Sequence, residues 1–470
     1  MDRATDRTAD RATNRMADRT ADRTTARTTD PATDAANRPW AEWDSAGAND
    51  GDGRDAIPGP LAATLDESRR QLGIPVGAHG FGHQAGAWHM GILAKQAAVV
   101  HDAPPSASVH AIVDHDANND ATMVRAPILT DGLVDGLLVR WGPAVAGAAT
   151  AWMPAVKRPT GRDRLDDATW ALPWIGERLR AWFDALEQHA AAPSVAVQAA
   201  LANQRVLATM GARPCAVTIT TSSLMTTAVG HAVVDLMLAD PARCAATFNA
   251  SLAKAPRAAT PLAERGDQSE LPLWLMGKGG LRRRATASGV REARSKGEPI
   301  LPRAFVASGL LRLLLSRFVH GVGGGTYERA GDAWWAGWIG VRPGPYSIAT
   351  ATHLLPLQVA PVPSVDLFRR AWTNPELLDS TGRALEDRRT LLAAMNREPR
   401  GSAARRAAFR AMRDFVASQR SRHALELDDL RHHAPARAQR RAAALAADRT
   451  WPAIVHDAGT VAGMFSGSGR

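Results

Sequence analysis

Apolar residues recur at helical spacing over positions 61 to 72, and the short apolar run Ile74-Pro75-Val76-Gly77-Ala78 then predicts a strand. Helical spacing returns at Gly86 and lasts to about Val100, after which Ser108-Val109-His110-Ala111-Ile112-Val113 reads as a second strand. Strand, helix and strand within about forty residues make a βαβ unit, whose expected product is a parallel sheet. Ala216-Val217-Thr218-Ile219-Thr220 predicts a further strand, followed by helix over 222–238 and again through Lys254. Residues 271–276 and the arginine-rich run after Gly279 read as a hairpin. An amphipathic helix is expected over 304–317 and another strand over 346–352.

Beyond Gly382 the pattern is nearly all helical, over 383–396, 402–432 and 435–448. Phe409, Met412, Phe415 and Val416 recur at helical spacing among arginines, which predicts an antiparallel helical hairpin. Residues 451–455 then read as a strand returning to the main body. By contrast, residues 2 to about 36 repeat four-residue units such as Asp-Arg-Ala-Thr without any apolar stripe. Such a tract cannot offset the entropy of ordering itself. The expected organisation is a disordered tail at 1–58, an α/β core with insertions at 59–382, a helical hairpin at 383–450, and a C-terminal strand and tail at 451–470.

The chain has 470 residues, of which 45% are hydrophobic, so a core of substantial size can be buried. Two cysteines without CxxC spacing indicate neither a disulfide framework nor a thiolate zinc site, and a reducing cytoplasm is the expected compartment. The net charge of +10 comes from arginines scattered along the chain rather than gathered between aromatics, a pattern that disfavours nucleic-acid binding. Lysine occurs only at 95, 157, 254, 278 and 296, which singles out Lys95 beside a glycine motif. No stretch reaches the ~18 uninterrupted apolar residues of a membrane span, and the start lacks the apolar segment of a secretory signal.

Gly82-His83-Gln84 lies where open α/β sheets bind ligands, beyond the carboxyl ends of their strands. His83 and Gln84 can contact an anion held by backbone N–H groups, His89 can reach the same ligand, and Lys95 can supply a compact cation. Asp114, His115 and Asp116 end the second predicted strand, where a carboxylate would orient a ribose, an amine or magnesium. Six of the fourteen histidines fall between His79 and His115, yet the zinc signature His-Glu-x-x-His is absent and no metal site is assigned. The second dense motif is His320-Gly321-Val322-Gly323-Gly324-Gly325-Thr326-Tyr327, where glycines permit close approach of backbone to ligand.

Taken together, Gly82-His83-Gln84 before a helix with Lys95, Val113-Asp114-His115-Asp116 at a strand end, Pro302-Arg303-Ala304 opening a long helix, and the His320 to Asp332 motif resemble bacterial proteins akin to the bacillithiol-synthesis cysteine ligase. The resemblance spans about residues 70 to 457. It implies a Rossmann-like parallel-sheet core with inserted segments and a C-terminal coiled-coil arm, able to pair two copies. It further implies a ligase or nucleotidyl-transfer reaction on a small-molecule substrate, with ATP and magnesium as cofactors. His83 and His320 would stabilise negative charge, Lys95 and Arg303 would hold phosphate or carboxylate, and Asp114 or Asp116 would orient an amine or ribose. Gly82, Gly321, Gly323, Gly324 and Tyr327 would line the cofactor site. The sequence departs from the family where Ala87-Trp88-His89-Met90-Gly91 replaces Phe-Thr-Gly-Pro, and where Phe81 replaces the first histidine of the synthetase-type signature. The alternatives are a non-catalytic binding or scaffold protein that keeps the cleft, and a histidine-dependent metal hydrolase.

Overall fold

The structure is a computed structural model that describes residues 57, 59–359, 366–432 and 434–466. The tail expected at 1–58 lies outside the described residues except at Ile57, as do positions 467–470. The described residues form two compact units, one made from Leu129–Asp135 and the described residues of 356–447, the other from the remaining described residues. Among the described residues no helix is long and apolar enough to cross a membrane.

The strands are β1 (His79–Gln84), β2 (Ser108–Val113), β3 (Met123–Thr130), β4 (Leu133–Arg140), β5 (Val217–Thr220), β6 (Glu270–Met276), β7 (Arg282–Thr286), β8 (Ile300–Pro302), β9 (Arg317–His320) and β10 (Tyr346–Ile348). Five of them make a parallel sheet in the order β10-β9-β1-β2-β5, and β7-β6-β8 make a separate antiparallel sheet. The central strand β2 is buried on both faces, so it carries apolar residues on both sides rather than alternating. On β2, Val109 and Ala111 enter the main core with Phe248, Phe305 and Trp334, while Ile112 packs with Ala85, Ala196 and Ala200 on the other face. His110 is buried on that second face, stacked on Phe81 at 4.8 Å.

The structure shifts several expected boundaries. The first strand is β1 rather than 74–78: Ile74 N–H closes the preceding helix on Arg69 O at 2.8 Å, and Val76 is 79% exposed. β1 is rich in glycine because neighbours leave no room, since a Cβ on Gly80 would meet Leu315 Cδ1 at 2.7 Å. The helix expected over 304–317 stops at Leu314, and Arg317–His320 is an interior strand paired with β1. Its four residues show no period of their own; packing between β1 and β10 defines them. The helix expected over 222–238 is two, because Gly230 lies against Leu224 O and Thr227 caps a new start.

The glycines at 321–325 open an 18-residue helix, Val322–Ile339. Residues 451–455 form no strand: Ala453–Val455 is a 3-10 turn after Pro452, held by Trp174 Nε1 donating to Val455 O at 2.9 Å. In the smaller unit the helices Arg383–Arg397 and Ala403–Arg422 pack on one another, the second capped by Ser402. The helix expected to reach His432 breaks at His423, whose backbone leaves the helical region, and restarts as Ala424–His432.

Candidate functional site

After β1 the chain builds outward through β2 to β5, then returns to place β9 on the other side of β1. In chain order the sheet reads 3-2-1-4-5, so its direction of growth reverses between β1 and β9. In open α/β sheets such a reversal point, beyond the carboxyl ends of the strands, is the usual place for a ligand crevice. β1 ends in His83 and Gln84, and β9 ends in His320.

Lys95 occupies this place from the helix Met90–Asp102. Its residue is only 5% exposed, and Nζ donates to Gly82 O at 2.6 Å and lies 3.4 Å from His83 Nδ1. Its Cδ would stand 3.9 Å from a Cβ on Gly321, so the side chain bridges the β1 and β9 ends. Burial pushes the ammonium down to about 7. Burial, then the charge of Lys95, lowers His83 well below the usual histidine range, which makes it a neutral imidazole. His79 stands at the far end of β1, roughly 13 Å of strand away from His83.

On the β9 side the helix Val322–Ile339 starts directly beyond His320, and Gly321 gives it no side-chain cap. The glycines behind that start have different duties. A Cβ on Gly324 would meet His320 Nδ1 at 2.5 Å and one on Gly325 would meet Ile348 at 2.4 Å, whereas Gly323 has nothing within 4 Å. His320 Nε2 lies 3.1 Å from Glu328 Oε1, and Arg312 joins Glu328 at 2.5 Å and Asp332 at 2.7 Å. Burial would raise Glu328, but His320 and Arg312 outweigh it and hold the carboxyl at about 2. Tyr327, 40% exposed, lies edge-on to His320 at 6.5 Å. Burial first, then Glu328 and Asp116, raise its phenol.

At the end of β2, Asp116 accepts the Gln84 amide at 2.6 Å and Arg282 Nη1 at 3.2 Å. Burial opposes its charge, but His115, Gln84 and Arg282 together lower it below the usual range. Asp114 is committed elsewhere. It accepts Thr221 Oγ1 at 2.9 Å, Ser222 N at 2.8 Å and Ser222 Oγ at 2.5 Å, which ties β2 to the turn after β5. His89 caps its helix, with Nδ1 accepting Gly91 N–H at 3.0 Å; burial, then Arg449 and Lys95, lower it to about 4.

Arg303 belongs to the antiparallel sheet, where it donates to Thr260 O at 2.9 Å and lies over Trp274 at 4.8 Å. The strand ends thus hold Lys95 against Gly82, His83 and Gly321, Gln84 against Asp116, and His320 against Gly324 and Tyr327. Asp114, His89 and Arg303 hold structural contacts instead. Sequence reading passed over the roles of Arg282, Glu328 and Arg312. Arg312 carried a signal, as a charge inside an apolar helix requires a buried partner. Among the described residues no group of three His, Cys, Asp or Glu side chains is placed to hold a metal ion.

No protein-family model matches this chain, and no curated protein matches it significantly.

Proposed function

We propose that the chain is a ligase or nucleotidyl-transfer enzyme with a Rossmann-like core, using a nucleotide on an amino or carboxylate small molecule. One observation carries this reading: an uncapped glycine helix start, a buried lysine and a neutral histidine meet at the reversal point of a parallel sheet. A helix start offers N–H donors and positive potential to an anion, and buried Lys95 is a second, independent cation beside it. The open space at Gly323 admits a phosphate against the backbone. The resemblance to the bacillithiol-synthesis ligase family supports the same reaction class.

ATP with magnesium is the nucleotide this reading calls for. The helix start and Lys95 would hold phosphate oxygens, and Asp116 would face a magnesium ion that keeps most of its ligands from phosphate and water, as that cation prefers. The nucleotide supplies the activated phosphoryl or nucleotidyl group. His83 would donate a hydrogen bond to charge developing on the transferring group, a duty suited to an imidazole that burial, and then Lys95, keep neutral. His320, held at Nε2 by Glu328, presents a fixed ring at the opposite wall. The synthetase-type first histidine has no substitute, because His79 lies at the other end of β1; charge stabilisation therefore falls to His83, Lys95 and the helix start.

The test is a melting-temperature screen with ATP and magnesium, followed by pyrophosphate or ADP release against a panel of amino acids and carboxylic acids. A ligand that binds only the native state must raise its stability. ATP is expected to raise the midpoint, and His83→Ala is expected to abolish nucleotide-dependent turnover while the ligand-free midpoint stays. Turnover equal to that of the wild type in this variant would sink the assignment.

A further inference from the structure

A cavity lies beside the residues that follow β5. It holds about 650 Å³, within the range that small-molecule sites occupy. Its floor is apolar, with Met225, Val234 and Leu301 buried, and Trp152 stands on one wall 49% exposed. The position of Trp152 is built in: a Cβ on Gly280 would meet its ring at 2.4 Å, so this turn accepts only glycine beside the indole. Beside the half-exposed indole, Met276 and Ile300 also line the cavity, so its surface carries apolar groups from several segments.

The polar groups of the cavity define the ligand further. Ser223 Oγ donates to Thr220 O at 2.7 Å and Thr226 Oγ1 donates to Ser223 O at 2.9 Å. Both hydroxyl protons are spent on backbone, which leaves oxygen lone pairs to accept from a ligand. Arg294 is paired with Asp235, and His231 and Glu298, which also line the cavity, are exposed to water. An ion drawn onto the floor would lose its water without gaining a partner.

We infer that this cavity binds an uncharged, flat, largely apolar small molecule bearing one N–H or O–H donor, of the indole or phenol class. The ring lies against Trp152 and the donor meets Ser223 or Thr226. Ser222 lines this cavity and also donates to Asp114, so the cavity wall is tied to the end of β2. That this molecule binds does not rest on the ligase reading.

Isothermal titration of the full chain with indole tests the binding. The wild type is expected to bind, Trp152→Ala to bind at least fivefold more weakly, and Thr226→Phe, which fills the cavity from an exposed position, to lose binding. Weakening in either variant supports the site. Absence of indole binding to the wild type, or wild-type affinity in both variants, overturns it. The same variants are titrated with ATP and magnesium: indole binding without any ATP binding would end the ligase reading and leave the cavity site standing, and ATP binding without indole would do the reverse.

Discussion

Lys95 shows at the residue scale how burial sets chemistry. Its ammonium is lowered from 10.5 to about 7 by burial, so between those values the unfolded chain binds a proton that the folded chain does not. Stability therefore rises with pH across that window, and the penalty is fully present below it. Lys95→Met is expected to stabilise the protein at pH 7 by on the order of 1–3 kcal/mol and to flatten this rise. Urea denaturation at pH 7 and pH 10 checks both. A loss of stability at pH 7 would mean that the bond to Gly82 O outweighs the cost of burying the charge. The scarcity of lysine made this residue conspicuous in the sequence, but not its burial: that follows from the helix Met90–Asp102 lying flat on the sheet.

The glycine-rich start of Val322–Ile339 makes a sharp contrast between neighbours at the scale of the element. Gly324→Ala would drive a methyl into the His320 ring and is expected to cost about 1–3 kcal/mol. Gly323→Ala meets nothing and, by helix propensity, is expected to be neutral or stabilising by about 0.5–1 kcal/mol. Its methyl enters the proposed phosphate space, so the ATP-induced melting shift should shrink in Gly323→Ala. Melting curves with and without ATP separate the two effects, and equal midpoints for the two variants would refute the packing argument. The motif itself was legible in the sequence. Its division of labour was not, because His320 and Ile348 reach it from strands β9 and β10.

At the scale of the whole molecule, histidines are buried as neutral groups on several elements. Burial, assisted by Lys95, lowers His110 to about 3; burial, then Arg449 and Lys95, lower His89 to about 4; burial, then His353, lowers His456 to about 4. Each folded value lies below the ordinary 6.5, so as pH falls below 6.5 the unfolded chain takes up protons first and stability is lost toward pH 4. By pH 5 each fully buried histidine is expected to cost about 2 kcal/mol relative to neutrality. Circular dichroism midpoints in urea from pH 7 to 4.5 check this, and a flat profile would show these histidines to be solvated.

The sequence by itself determined the local periods: the apolar run of β2, the helix carrying Lys95, the helices after Gly382, and two dense motifs whose side chains the structure brings to one crevice. Only the tertiary structure decided that Arg317–His320 is an interior strand, since His79 pairs with Arg317 across more than two hundred residues and no local pattern records that partnership. It also decided which polar groups are spent. Asp114 and Asp116 look alike in sequence, yet Asp114 receives three donors from the turn after β5 while Asp116 meets Gln84 and Arg282 at the crevice. A side chain's period follows from its own helix or strand, but whether its hydrogen-bonding capacity is free depends on residues that only folding brings near.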